Sequence, residues 1–193
     1  MKSETRVQSA DRFLLAKGAK SIPHPGGTLL AHLRRTSGLL AEWGNSEALV
    51  VAGLCHAAYG TDGFDRPVLD HSSRDELAAV VGSAAEAIIY LYASCDRRYT
   101  YPQIAARNGQ FRNRFTGEVL TLERTQLAEL MELTCANELD VARHNPDFAE
   151  NEWPRVAPLF TCSRALLSEA AWQSCSRGPA AQSRGRAARA ARG

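Results

Sequence analysis

The sequence predicts an all-α fold, and three observations predict it. Apolar residues recur at helical spacing through most of the chain. The periodic stretches are separated by glycines and by Ser, Thr or Asn residues suited to helix ends. Only one short stretch reads as extended, so the expected architecture is a helical bundle with room for one small β-hairpin.

The first stretch, Arg6 to Lys17, carries Val7, Ala10, Phe13 and Leu14, and Gly18 stops it. Pro23, Pro25, Gly26 and Gly27 form a stiff loop around His24. A helix from about Thr28 to Trp43 follows, with Leu29, Leu30, Leu33, Leu39 and Leu40 as its buried stripe. From Glu47 to about Tyr59 the residues are apolar nearly all round, which marks a central helix with neighbours on several sides. Gly60 ends it, and 60–72 reads as a polar loop. Ser73 with Glu76 suggests a capping box for a short helix through Val81. A further helix runs from Ala84 to about Ala93. The region 95–119 is irregular, with a hairpin turning at Thr116-Gly117. A long helix from about Leu122 to Arg143 comes next. The Trp153-Pro154 pair reads as a turn before a last helix near Ser163 to Ser174.

Composition narrows the function classes. Apolar content of 45% in 193 residues suffices for a core without disulfides or structural metal. The net charge of +2 is uneven, because 177–193 holds five arginines and no acid. The remaining 18 bases against 21 acids leave a mildly acidic body with no electrostatic footprint for nucleic acid. Residues 1–176 are therefore read as the folded domain and 177–193 as an Arg/Ala/Gly-rich disordered tail. No apolar run approaches a membrane span, and no signal-peptide core opens the chain. The five cysteines are odd in number and form no C-x-x-C pair, which fits reduced thiols in a cytoplasmic protein. The expected partner is a small molecule rather than a membrane or a nucleic acid.

Chemistry centres on the histidines, of which there are five. His32 sits in Leu-Leu-Ala-His-Leu and His56 in Gly-Leu-Cys-His-Ala, both inside apolar helices. A buried imidazole needs a hydrogen-bond partner or a metal, since its desolvated nitrogens otherwise carry a penalty of a few kcal/mol. Cys55 and Cys135 point away from their histidine and asparagine neighbours at helical spacing and read as apolar core cysteines.

These residues resemble the HD-domain superfamily, whose pattern is a histidine in a first helix, a His-Asp pair ending a second, and an aspartate in a later one. His32 and His56 match the first two positions, and Asn137 in Leu133-Thr-Cys-Ala-Asn-Glu-Leu-Asp stands at the last. The stretch from Ala52 to Arg97 also looks like the hydrolase half of stringent-response alarmone enzymes, down to Gly82-Ser-Ala-Ala-Glu86. A closer likeness is to an uncharacterised bacterial and fungal group within that superfamily. It rests on His24-x-Gly26, Leu29-Leu30-x-His32-Leu33, Trp43, Ala52-Gly53-Leu54-x-His56, Tyr59-Gly60-Thr61 and Ala136-Asn137-Glu138, over about residues 20 to 142. The resemblance implies an HD-like helical bundle and a pocket shared by His32 and His56.

The departures bear on the reaction. In a typical HD hydrolase two histidines and two aspartates hold a cation whose water attacks a phosphoester. Here Ala57 follows the second histidine and Asn137 replaces the distal aspartate. The Glu-Asp pair of alarmone hydrolases becomes Gly60-Thr61. An ordinary HD phosphohydrolase is therefore not expected. Two neutral imidazoles suit zinc, iron or nickel better than a hard cation, with His24, Asp62 or Asp140 as third ligand. His24 suits a surface loop better than a ligand role and Asp62 a turn before Gly63, while Asp140 equally suits a solvated helix face. Metal-free acid–base chemistry would use His32 or His56 as base, with Tyr59, Thr61 and Asn137 orienting a carbonyl or phosphate. Arg97 and Arg98 read as a solvated charge cluster or as guanidinium at the pocket mouth. The expected function is binding of a small polar or phosphorylated metabolite by His32, His56 and Asn137. The alternative is an inactive HD domain serving as a ligand-binding or protein-interaction module.

Overall fold

Side-chain caps set most of the helix starts in the computed structural model, which describes residues 4–179. The first helix, α1 (Arg6–Ala16), starts at Thr5 and stops where Gly18 adopts φ 81°. The proline-glycine loop closes on itself as a two-residue antiparallel pair, β1 (Pro23–His24) with β2 (Gly27–Thr28). Thr28 then caps α2 (Leu29–Glu42) by accepting the Ala31 N–H at 3.2 Å. Ser46 caps α3 (Glu47–Cys55) by accepting the Leu49 N–H at 3.3 Å.

The apolar helix α3 occupies the centre, as its all-round apolar sequence predicts. It packs on α2, on α5 (Ser83–Ala93) and on α1, and α2 also packs on α7 (Arg124–His144). Gly53 permits the close α2–α3 approach, because a Cβ there would collide with the Leu40 side chain. Along α7 every residue from Leu130 to Asp140 is buried. Charged groups drawn into that stretch must find partners inside the protein.

The remaining elements depart from the sequence expectation in instructive ways. The helix α4 (Arg74–Val81) forms, but Ser73 makes no side-chain cap and Glu76 instead pairs with Lys17 at 2.7 Å. Residues 97–105, read as irregular, form α6 (Arg97–Ala105), capped by Asp96 accepting the Tyr99 N–H at 3.0 Å. Pro102 inside that helix hides it from propensity reasoning. The predicted hairpin exists as β3 (Gln110–Arg112) paired antiparallel with β4 (Val119–Thr121). The turn expected at Trp153-Pro154 is a helix start. After α8 (Pro146–Asn151), Pro154 occupies the first turn of α9 (Trp153–Cys162), where its missing N–H has no partner to lose. The chain ends in α10 (Glu169–Arg177), so the predicted boundary at 176/177 falls within a helix. The tail from residue 180 onward lies outside the described residues.

Cysteine chemistry differs from expectation too. Cys135 of α7 and Cys175 of α10 form a disulfide, whereas the sequence reads both as free thiols. Their separation of 40 residues gives no spacing signal, and α7–α10 packing alone brings them together. Cys55 and Cys95 are buried free thiols, and burial pushes each up to about 12. Among the described residues no helix is long and apolar enough to cross a membrane.

Candidate functional site

Three helices deliver one polar cluster to the interior. His32 comes from the first half of α2, His56 from the C-terminal end of α3, and Asn137, Glu138 and Asp140 from the buried stretch of α7. Both histidines are 1% exposed, so each ring nitrogen must be satisfied within the protein.

The far nitrogen of each ring is fixed first. His32 Nδ1 donates to Asp140 Oδ2 at 2.7 Å, and His56 Nδ1 donates to the Gly53 carbonyl at 2.8 Å. These bonds direct both Nε2 atoms to one point, where they stand 3.3 Å apart. Asn137 completes the group. Its Nδ2 donates to Glu138 Oε1 at 3.1 Å, which turns Oδ1 toward His32 Nε2 at 3.0 Å. The His56 nitrogen and the Asn137 oxygen both offer lone pairs to His32 Nε2. Such a convergence suits a bound cation or a ligand that donates hydrogen bonds.

Surrounding charges hold the cluster in place. Asp140 is 2% exposed and also receives Arg35 Nε at 2.7 Å and Arg35 Nη2 at 2.9 Å. Burial would raise its carboxyl, but hydrogen bonds from His32 and Arg35 outweigh that and hold it at about 2. Burial, then the neighbouring His32, push His56 down to about 3, so it stands neutral. His24 stacks on His32 with ring centroids 4.1 Å apart, and burial with the same neighbour lowers it to about 4.

Above the cluster is a cavity of about 270 Å³, lined by His24, His32, His56, Thr61, Asn137 and Arg97 among others. Gly60, at φ 71°, turns the chain after His56 and returns Thr61 to this wall. Arg97 donates to Glu138 Oε1 at 2.8 Å and to the Tyr92 hydroxyl at 2.9 Å. A larger open groove of about 740 Å³ runs beside α1, but its charges are tied into surface pairs, Arg12 with Glu4 and Arg34 with Asp11.

Most of the residues singled out in the sequence meet here, and two do not. Tyr59 donates to Glu86 Oε1 at 3.1 Å in a separate buried group with Arg74, and does not line the cavity. One helical turn beyond His56 carries it toward α5 instead. Asp62 is exposed, and its Oδ2 accepts the Arg97 backbone N–H at 2.8 Å, so it is engaged at the start of α6 rather than at the histidines. Asp140 stands behind His32 as its orienting partner, where the sequence offered it as a ligand. Arg35 and Glu138 were missed. Arg35 shares the His32 face at i+3, and Glu138 is an acid inside a buried run, which was its available signal. Among the described residues no three His, Cys, Asp or Glu side chains are grouped to hold a metal, so the Asn137 amide is the third donor beside the two imidazoles.

The donor set passes a chemical fit test. Two zinc–nitrogen bonds of about 2.0–2.1 Å at a tetrahedral angle span ~3.3 Å, which is the observed Nε2–Nε2 separation of 3.3 Å. Each imidazole also has its other nitrogen bonded to a carboxylate or a carbonyl, the usual outer support of histidine ligands.

Residues 13–97 match the model of a domain of unknown function (DUF6817). That match takes in the end of α1 and all of α2 to α5 with His24, His32 and His56, and ends before Asn137 and Asp140. No curated protein and no solved structure matches the chain.

Proposed function

We propose that this chain is a divergent HD-like domain whose cavity binds a small polar or phosphorylated metabolite through His32, His56 and Asn137. One observation carries the reading, the approach of His56 Nε2 and Asn137 Oδ1 to within 3.3 Å of His32 Nε2 at a cavity floor. Its arrangement suits a bound cation or a ligand that donates hydrogen bonds better than a packed core, because unreconciled lone pairs in a core are costly. Asp140 holds the His32 tautomer, as an orienting carboxylate does for a catalytic base. Arg97, already in the cavity wall, supplies charge to an anionic group.

A zinc, iron or nickel ion would be held by His32, His56 and Asn137, and would supply Lewis-acid polarisation on the open side of the cavity. A second reading, a binding module without turnover, is favoured by Ala57, which lines the cavity where the HD resemblance calls for a carboxylate.

The test is metal content of untagged protein beside the His32→Ala/His56→Ala double variant, followed by thermal-shift titration of both with phosphomonoesters. Ligand-dependent stabilisation of the parent alone supports the pocket. Equal behaviour of parent and variant would sink it. Turnover of a bound ligand separates enzyme from binding module.

A further inference from the structure

The histidine cavity is lined by acceptors that the protein leaves without donors. With Nδ1 of each ring donating elsewhere, His32 and His56 present the Nε2 lone pairs, and Asn137 presents Oδ1 because its Nδ2 donates to Glu138. Glu138 adds a carboxylate to the same lining. It is 5% exposed, and its Oε1 receives Arg97 and Asn137, while Oε2 accepts no hydrogen bond among the described residues. The two arginines at the cluster carry their own counter-ions, Arg97 with Glu138 and Arg35 with Asp140, so their charge does not oppose a bound cation.

The acceptors are close enough to share one nitrogen. His56 Nε2 stands 3.3 Å and Asn137 Oδ1 3.0 Å from His32 Nε2. A nitrogen ~2.9 Å from both imidazoles sees them about 70° apart, which bends each tetrahedral N–H by ~20° from its acceptor, a tolerable angle. A primary ammonium carries three N–H donors on one atom, whereas a hydroxyl carries one. The rest of the lining is mostly hydrocarbon, with Pro25, Ala57, Phe64, Val141 and Phe148. The volume of about 270 Å³ falls below the roughly 300–1,000 Å³ of drug-sized pockets, which limits the occupant to a short molecule.

We propose that the ligand presents a primary ammonium group to His32, His56 and Asn137, with Glu138 as its counter-charge and a short hydrocarbon stem against Phe64 and Phe148. This inference rests on the proposed metabolite-binding function and assigns the chemical group that the histidines receive.

The test is calorimetric titration of the chelator-treated full chain at pH 8 with propylammonium, 1-propanol and propyltrimethylammonium. An alkylamine is charged at that pH, as a lysine side chain is. Propanol keeps the stem with one donor and no charge, and the quaternary ion keeps the charge with no N–H. Each is expected to bind roughly tenfold or more weakly than propylammonium, because buried acceptors are left unpaired. Asn137→Leu is expected to weaken propylammonium about tenfold and Glu138→Gln about three- to tenfold, with unchanged circular dichroism reporting that each variant is folded. The comparison of analogues uses the parent protein alone and does not depend on any variant folding. Equal affinity for propylammonium and either analogue would overturn the inference. Propylammonium binding that survives in both Asn137→Leu and His32→Ala/His56→Ala would overturn it as well. If phosphomonoesters stabilise the parent through the histidines and propylammonium does not bind, the ammonium group is excluded and the metabolite pocket stands. If neither class of ligand binds, both readings fail.

Discussion

His32 and Asp140 are 108 residues apart in the chain, yet Nδ1 and Oδ2 meet at 2.7 Å across the α2–α7 interface. The carboxylate also holds Arg35, so one buried acid ties a histidine to its own helix neighbour and locks both onto α7. Removing the acid leaves an arginine and an imidazole N–H without their acceptor.

Asp140→Asn keeps the side-chain shape and removes the charge. Loss of a buried partner of this kind is expected to lower stability by about 2–4 kcal/mol at pH 7. Urea unfolding of the variant beside the parent checks it. A change within a few tenths of a kcal/mol would mean that Arg35 and His32 find other acceptors.

Acid sensitivity follows from the same cluster in metal-free protein. Folding depresses His56 from 6.5 to about 3, so the unfolded chain takes up a proton below pH 6.5 that the native state refuses until about pH 3. Stability is full above pH 6.5 and falls as pH drops through this window. Asp140, depressed from 3.8 to about 2, adds a second loss between those values, because the unfolded carboxyl protonates first. Unfolding free energies measured from pH 7.5 to 3 should decline steadily. The slope between pH 6.5 and 4 should be shallower in His56→Gln.

Asn137→Asp places an anionic oxygen where Oδ1 now faces His32 Nε2 at 3.0 Å. Affinity for Mn²⁺ or Zn²⁺ is expected to rise by roughly tenfold or more, since ligand charge count governs such sites. Calorimetric titration of chelator-treated protein reads it directly. No gain would argue that the three donors do not form a metal site.

Reduction of Cys135–Cys175 opens a loop of 40 residues. Chain-entropy reasoning gives a loss of about 4 kcal/mol, or a fall in Tm of roughly 10 °C for a domain of this size. Calorimetry with and without a strong reductant, with Cys175→Ser as control, measures it. An unchanged Tm on reduction would show that helix packing alone holds α10.

The sequence by itself determined what depends on near neighbours in the chain. Leu and Ala spacing placed α2, α3 and α7, and a Thr-Gly turn placed the hairpin. Those are effects of backbone geometry and local burial, and they act within a few residues. His32, His56 and Asn137 were legible as candidates because polar groups inside apolar runs stand out.

Partnership was not legible. Whether Asp140 ligates or orients, whether Tyr59 turns to the cavity or to Glu86, and whether Cys135 stays free each depend on helices brought together from distant parts of the chain. The helices α6 and α9 were hidden by internal prolines that tertiary packing tolerates. Tertiary structure alone decided these points, because a buried polar group takes whichever partner its neighbours present, and the neighbours are chosen by packing.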